Sequence, residues 1–349
     1  MKITIRLVIS LIIPFLILIG CGSDGDGDDT GVTVYTVGSY GYSVGLGYED
    51  RGCYWVNNER KDLEVGSDAS AITLSGGKVY VAGSIYDSAA NKRKACYWID
   101  GVIQSLDPPT GGSDLYVAKA IAVSDDGTVY TVGTYDAGPG KEENACYWKD
   151  EAFTDLVGDA DYSYANGIAV SENTVYIAGS YEKGGVSKAC YWIGSDRKPL
   201  ENDYSVEAIA VSDNTIYMAG YSEGMSSSKA CYWINENKTD LTGDAGDVWV
   251  YAGAITVSGG KVYIAGTHED NNNNYYGYYW MIGGATRTTL DLYSHVSGIA
   301  VLGNVVYTAG YYTKNSKDIP CYWEGTERVE LDLEGIEATF VEVNGIAVK

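Results

Sequence analysis

The chain has 349 residues, with 44 Gly, 32 Tyr and only 3 Phe, and its 47 acidic against 24 basic side chains give a formal net charge of -23. A surface of that sign repels phosphate backbones and anionic lipid headgroups, which excludes nucleic acid as a partner. Abundant Gly and Tyr favour short strands joined by tight turns.

The first predicted element is an export signal. Lys2 and Arg6 precede a run from Leu7 to Ile19 that is apolar except for Ser10 and carries Pro14, shorter than the roughly 20 residues of a spanning helix. It ends in Leu18-Ile19-Gly20-Cys21, which resembles the bacterial lipobox. That resemblance implies cleavage before Cys21 and attachment of palmitate-class acyl chains there, two or more of which suffice for stable membrane anchoring. Gly22, in place of Asp, implies the outer membrane of the cell envelope. Removing Lys2 and Arg6 takes the net charge from -23 to -25.

Residues 1–20 are therefore expected to be a lipoprotein signal peptide, and residues 21–31 the lipidated Cys with an acidic, flexible tether. Ser23 to Thr30 reads Ser-Asp-Gly-Asp-Gly-Asp-Asp-Thr, too polar and Gly-rich to fold. Ten residues reach at most roughly 35 Å, so the body stays close to the membrane. The alternating Asp resemble the start of a calcium loop, but the turn Gly and terminal Glu are missing at their offsets.

Residues 32–349 are one repeat series. Cys-Tyr-Trp recurs from Cys53, Cys96, Cys146, Cys190, Cys231 and Cys321, and a seventh copy reads Tyr278-Tyr279-Trp280, at spacings of 43, 50, 44, 41, 47 and 43. In each unit a short apolar strand such as Ala71 to Ser75 leads through a tight turn to Val-Tyr-x-x-Gly or a close variant. The turns Gly76-Gly77, Glu172-Asn173, Asp213-Asn214 and Gly259-Gly260 suit two-residue hairpins, and Asp125-Asp126-Gly127 a three-residue one. A loop, the Cys-Tyr-Trp strand and a short strand ending near a Leu complete the unit. Four antiparallel strands in about 45 residues, seven times over, predict an all-β, seven-bladed β-propeller. The first unit lacks its first strand, whereas Gly345 to Val348 is an unattached one. The C-terminal strand is thus expected to complete the first blade and close the ring.

Trp55, Trp98, Trp148, Trp192, Trp233, Trp280 and Trp323 are read as structural. Both faces of a blade pack on neighbours, and each Trp removes roughly 150 to 250 Å² from water, a gross gain of about 4 to 6 kcal/mol before entropy. The Gly of Val-Tyr-x-x-Gly is expected to admit a neighbouring Trp or backbone. Six body cysteines in an exported protein suggest disulfides. They occupy equivalent places in different blades, however, and facing sheets lie about 10 Å apart, beyond the roughly 7 Å Cα limit of a disulfide. Six buried free thiols are expected.

Lys94-Ala95-Cys96-Tyr97-Trp98-Ile99-Asp100-Gly101, and Thr154-Asp155-Leu156 followed by Ala165 to Ser171, are similar in order and spacing to the bacterial extracellular HAF-type repeats. The resemblance covers residues 32–349 and departs from the pattern at Cys-Tyr in place of Phe-Leu and at Val-Tyr-x-x-Gly. It implies a surface or envelope propeller without agreed catalytic residues.

No catalytic constellation stands out. His268 and His295 have no second His or Cys at metal spacing, and no nucleophile elbow, phosphate loop or dinucleotide fingerprint occurs. No metal or cofactor is expected. Ser124 to Thr128 resembles a shortened sialidase Asp-box, but reads as a hairpin turn.

Residues that break the repeat are more informative. The connection from one blade's last strand to the next blade's first is expected to open beside the channel, and it carries Tyr116, Tyr162, Tyr164, Tyr204, Trp249, Tyr251, Tyr293, His295 and Phe340. Asp114, Asp159, Asp161, Asp203, Asp244 and Asp247 are interleaved with them. The loops His268 to Gly277 and Asp87 to Lys94 should open on the same face, where specificity normally resides. Aromatic platforms with acidic acceptors suit sugar rings or a peptide; the competing role is to seal each loop onto its neighbour. Tyr116, Tyr164, Tyr204, Trp249, Tyr251 and His295 are the ligand-binding candidates. The expected function is a non-enzymatic binding or scaffold propeller for a glycan or protein partner, anchored in the envelope. The alternative is an envelope enzyme acting on polysaccharide, with acids at the channel mouth.

Overall fold

The computed structural model describes residues 31–45, 47–106, 115–136, 143–202, 204–223, 227–241, 247–283 and 287–349. The signal, Cys21 and nearly all of the tether lie outside the described residues.

The strands follow the repeat. Blade one holds β1 (Val34–Val44), β2 (Gly47–Val56) and β3 (Glu59–Val65); blade two β4 (Ser67–Ser75), β5 (Lys78–Asp87), β6 (Lys92–Ile99) and β7 (Val102–Ser105). Blade three holds β8 (Tyr116–Val123), β9 (Val129–Asp136), β10 (Glu143–Lys149) and β11 (Ala152–Asp155); blade four β12 (Tyr162–Ser171), β13 (Thr174–Lys183), β14 (Val186–Ile193) and β15 (Asp196–Asn202). Blade five holds β16 (Tyr204–Ser212), β17 (Thr215–Glu223), β18 (Ser228–Ile234) and β19 (Asn237–Asp240); blade six β20 (Asp247–Ser258), β21 (Lys261–Asp270), β22 (Tyr275–Met281) and β23 (Arg287–Leu292). Blade seven holds β24 (Ser294–Leu302), β25 (Val305–Lys314), β26 (Lys317–Glu324) and β27 (Glu327–Glu330), after which β28 (Ala338–Val348) returns to blade one.

Every sheet has four antiparallel strands, and the closing one runs β28-β1-β2-β3. Val348 pairs with Val34 and Phe340 with Gly41, so the last strand is the innermost of the first blade. First strands of successive blades also touch around the ring, β28 with β4 included. The two-residue turns have positive φ at both positions, 57° and 78° at Gly76-Gly77 and 48° and 60° at Glu172-Asn173, the geometry that matches strand twist.

The core lies between blades. Trp148 and Cys146 of blade three pack with Tyr80, Tyr97 and Leu106 of blade two, and Trp192 and Cys190 of blade four with Tyr130, Val132 and Leu156 of blade three. Six of the seven repeat Trp have no accessible surface, and Trp280 keeps 7 %. Some of the indoles also tie blades together, with Trp98 Nε1 donating to Glu64 Oε2 at 2.6 Å and Trp323 Nε1 to Asp291 Oδ2 at 2.8 Å. Cys53, Cys96, Cys146, Cys190, Cys231 and Cys321 are all free and buried. Burial pushes the Cys53, Cys146 and Cys190 thiols well up from their ordinary range.

The first strands are longer than the sequence suggested, and each is broken by a β-bulge. Pairing skips one residue between Ala69 and Ala71, Ala118 and Ala120, Ala165 and Gly167, Val206 and Ala208, Ala252 and Ala254, and Val296 and Gly298. Blade one skips Asn344. Opposite each bulge stands the repeat glycine, where an added Cβ would sit 1.7 to 2.0 Å from the carbonyl oxygen of Asp68, Val117, Tyr164, Ser205, Tyr251, His295 or Glu342. The glycine thus admits the backbone of its own blade's first strand; Trp98 and Trp192 also come within 3.1 Å at Gly83 and Gly179.

Candidate binding groove at the channel mouth

The extra residue of a bulge turns out of the ladder. Lys119, Asn166, Glu207, Gly253 and Ser297, from five successive blades, line one cavity of 440 Å³, which places the bulges on the channel axis. Some join the inner strands: Asn166 Nδ2 donates to Val206 O at 3.1 Å, Asn344 Nδ2 to Ala69 O at 2.9 Å, and Ser297 Oγ to Val343 O. The residue two before each bulge also points inward. Tyr164, Tyr251 and His295 occupy that position in blades four, six and seven, and Asp68 and Glu342 in blades two and one.

The candidate aromatics belong to strands β8, β12, β16, β20 and β24, a correction to the expected loops. The pairing extends because connections on this face are short: Gly66 alone joins β3 to β4, and Tyr293 alone joins β23 to β24. Gly66 O accepts Tyr86 N at 2.9 Å, while Tyr293 N donates to Tyr275 O at 2.6 Å and Tyr293 O accepts Thr313 N at 2.8 Å, so both sets of connections do share one face. His268 to Gly277 is likewise mostly strand, reduced to a turn at 271–274. His268 is buried on β21, stacked on Tyr276 at 4.9 Å.

The structure brings Tyr164, Tyr204, Tyr251 and His295 to adjoining cavities. The 440 Å³ cavity is walled by Tyr221, Tyr251 and His295, and a neighbour of 540 Å³ by Tyr162, Tyr164, Tyr204 and Tyr221; Asn166, Glu207 and Tyr221 line both. Trp249 stacks on Tyr251 at 6.5 Å with planes 7° apart, and Tyr251 meets Tyr221 edge-on at 4.8 Å. His295 stacks on Tyr311 at 5.4 Å. Its ring is exposed to the channel, yet the enclosing walls limit hydration, and this desolvation lowers its pKa from 6.5 against a weaker opposing pull from Asp318. Tyr204 is more structural, edge-on to Trp233 at 6.1 Å with its hydroxyl accepting Lys238 Nζ at 2.7 Å.

Tyr116 does not join them. It is 2 % exposed, stacked on Tyr135 at 5.8 Å in the core between blades two and three. Phe340 packs on Tyr48 at 6.2 Å in blade one. Asp114, Asp203 and Asp244 lie outside the described residues. Asp159 pairs with Lys183 and Arg197, Asp161 accepts Gly184 N at 2.6 Å, and Asp247 holds Arg287 at 2.7 Å and His268 at 3.5 Å. These three carboxylates therefore hold strands and turns. At Ser124 to Thr128, Asp126 accepts Ser124 Oγ at 2.6 Å and Thr128 N at 3.1 Å, a hairpin turn.

Blade six is braced behind the groove. Tyr278 replaces the repeat Cys, is fully buried, and donates its hydroxyl to Tyr251 O, the carbonyl facing Gly266. Arg287 lies 5.7 Å from the Tyr278 ring and pairs with Asp247 at the start of β20. The strand carrying Trp249 and Tyr251 is thereby fixed from below, which preorganises the exposed Tyr251 ring and the half-buried Trp249 stacked on it.

Sequence reasoning missed Tyr221, Tyr311 and the bulge residues. The signal was there in register: the residue after the repeat glycine is Ser or Thr in five blades, and Tyr only at Tyr221 and Tyr311. Among the described residues no group of three or more His, Cys, Asp or Glu is placed to hold a metal ion.

No protein-family model and no curated protein matches the chain. Solved structures do. The β-propeller domain of the Trilobed protease from Pyrococcus furiosus, described as having an open Velcro topology, is similar with a TM-score of 0.54 at 12 % identity, over 87 % of this chain and 95 % of that one. Acylaminoacyl peptidase from Pyrococcus horikoshii gives 0.52 at 12 % identity over 87 % of this chain, which spans about half (51 %) of the peptidase. TolB from Acinetobacter baumannii gives 0.48 at 12 % identity, over 89 % of this chain and 83 % of that one. At such identities the likeness is one of fold: this chain is a seven-bladed β-propeller, closed by pairing of its own terminal strands.

Proposed function

We propose that this propeller is a non-enzymatic binding module whose channel mouth engages a glycan, and that it is held at the bacterial envelope, at the outer membrane, through acylated Cys21. The observation that carries the binding reading is the run of partly exposed rings, Tyr164, Tyr221, Tyr251 and His295, along two adjoining cavities that also present Asn166, Glu207 and Ser297. Flat apolar faces beside a few fixed polar groups suit sugar rings, whose two faces are apolar and whose edges carry hydroxyls. The resemblance to HAF-type repeats supports an envelope setting for such a propeller.

Two measurements test this. The protein spanning residues 32–349 is applied to a glycan array, beside Trp249→Ala/Tyr251→Ala. The expected result is glycan binding by the unsubstituted protein and its loss in the variant, with melting temperatures within a few degrees; a large fall in melting temperature instead assigns the two rings to the core. For the anchor, the full chain should partition with detergent and Cys21→Ser with the aqueous phase, and equal partitioning would refute acylation.

An enzymatic reading has one observation in its favour. Desolvation, reinforced by the charge of Asp68, raises the pKa of Glu342, the direction a general acid requires. Release of shortened products from an arrayed polysaccharide, abolished in Glu342→Gln, would favour that reading over simple binding.

A further inference from the structure

Blade six differs from the other blades at the channel axis. Its bulge residue is Gly253, whereas the bulges of its neighbours carry side chains, Glu207 in blade five and Ser297 in blade seven. Gly253 is exposed and lies outside the left-handed region, and a Cβ built on it meets nothing within 4 Å. Neither backbone conformation nor packing requires glycine there. What its missing side chain leaves is space, in the floor of the 440 Å³ cavity.

The same blade is flanked by the two departures at the position after the repeat glycine. Elsewhere that residue can join blades, as Ser39 Oγ accepts Ala69 N at 2.9 Å and Thr267 Oγ1 accepts Val296 N at 3.1 Å. Blades five and seven place a phenol there instead. Tyr221 stands edge-on to Tyr251, and Tyr311 backs His295. An open floor thus lies between an aromatic pair on one side and a second on the other.

Resting on the glycan reading above, we propose that this slot is the subsite for one neutral pyranose ring, stacked against Tyr251 and His295, and that Gly253 determines specificity by leaving the floor open. Neutrality follows from the lining. Asn166, Thr267 and Ser297 are uncharged, Lys119 and Glu207 are of opposite sign, and the field of a chain at -23 opposes an anionic sugar. Desolvation by the cavity walls lowers the pKa of His295, which disfavours its charged form. The cavity volume lies within the usual range for small-ligand pockets, about 300 to 1,000 Å³.

The test uses residues 32–349, which contain the whole closed ring, on an array of neutral, N-acetylated and uronic oligosaccharides, followed by calorimetric titration of the best binder. Gly253→Asn introduces the residue that blades one and four carry at their bulges. It should weaken binding by more than about tenfold with an unchanged melting temperature, while Ser70→Asn at the blade-two bulge leaves binding intact. Tyr221→Ser, which restores the commoner residue, should weaken binding as well and decides the matter if Gly253→Asn proves unstable. Neutral-glycan binding that survives both blade-five and blade-six variants overturns the subsite and leaves the glycan reading standing. Preference for uronic sugars overturns neutrality, and no binding to any arrayed sugar overturns both readings.

Discussion

At the scale of single residues, two glycines of this ring, one in blade three and one in blade six, stand for opposite physical demands. At Gly133 an added Cβ would lie 1.7 Å from the oxygen and 2.8 Å from the carbon of the Val117 carbonyl, atoms of a hydrogen-bonded strand that cannot swing aside. At Gly253 it would meet nothing within 4 Å. Gly133→Ala is therefore expected to destabilise the protein by about 3 kcal/mol or more, since the bulge must be displaced. Gly253→Ala should be neutral or stabilising by up to about 1 kcal/mol, because alanine loses less backbone entropy on folding. Denaturant melts of the two variants check this, and equal midpoints would mean that the bulge is not the reason for the repeat glycine. Tyr278 shows the same dependence on partners. It occupies a place held by Cys in the other blades because its hydroxyl reaches Tyr251 O and its ring has Arg287 and His268 beside it.

At the scale of strands, the repeat was legible and the bulge was not. Cys-Tyr-Trp, the hairpin turns and the apolar strand after the bulge recur in register, because those residues face neighbouring blades and every blade makes the same demand. Before the bulge the sequence varies, Asp68-Ala69-Ser70 in one blade and Tyr251-Ala252-Gly253 in another, because alternate side chains there meet the channel and no common neighbour constrains them. That variation made the stretch look like a loop, although Ala69 and Ala252 are wholly buried and their strands fully paired. Breaking the repeat marks an aromatic as a candidate, and Tyr251 and His295, so marked, do line the cavity. That criterion fails for Tyr116, whose residue type varies while its place in the core does not: Ser67, Ser163 and Ser294 sit at the corresponding position and are just as buried. It also misses Tyr221, since a tyrosine two residues before Glu223 looks unremarkable until the blades are aligned on Gly220 and a Ser or Thr is seen to be the rule.

At the scale of the whole molecule, stability rests on closure. Each Trp and Cys is buried by the neighbouring blade, so a blade with no neighbour would expose apolar surface on both faces. The ring closes where β28 pairs with β1, Val348 with Val34, Gly345 with Val37 and Val343 with Gly38, and Thr33 and Lys349 exchange backbone hydrogen bonds of 2.8 and 3.1 Å; blade one also meets the segment after β27, where Trp55 Nε1 donates to Asp332 O at 2.9 Å and Arg60 donates to Leu333 O. The latch is reinforced across blades: Asn344 Nδ2 donates to Ala69 O in blade two, and Val343 O accepts Ser297 Oγ of blade seven. Deleting residues 343–349 removes the bonds of Val343, Asn344 and Lys349 and leaves the inner edge of β1 unpaired from Val34 to Gly38, while Gly298, now 3.0 Å from Gly345 Cα by its would-be Cβ, loses its neighbour. An unpaired, flat inner strand is a template for association with another chain. The truncated protein is accordingly expected to melt well below the intact one and to form dimers or larger species by size-exclusion chromatography with light scattering. Restoration by a separately added peptide of residues 338–349 would show that the loss lies in the missing strand and not in a misfolded body. A truncated ring that stays monomeric with an unchanged melting temperature would mean that seven blades hold their circle by face packing alone.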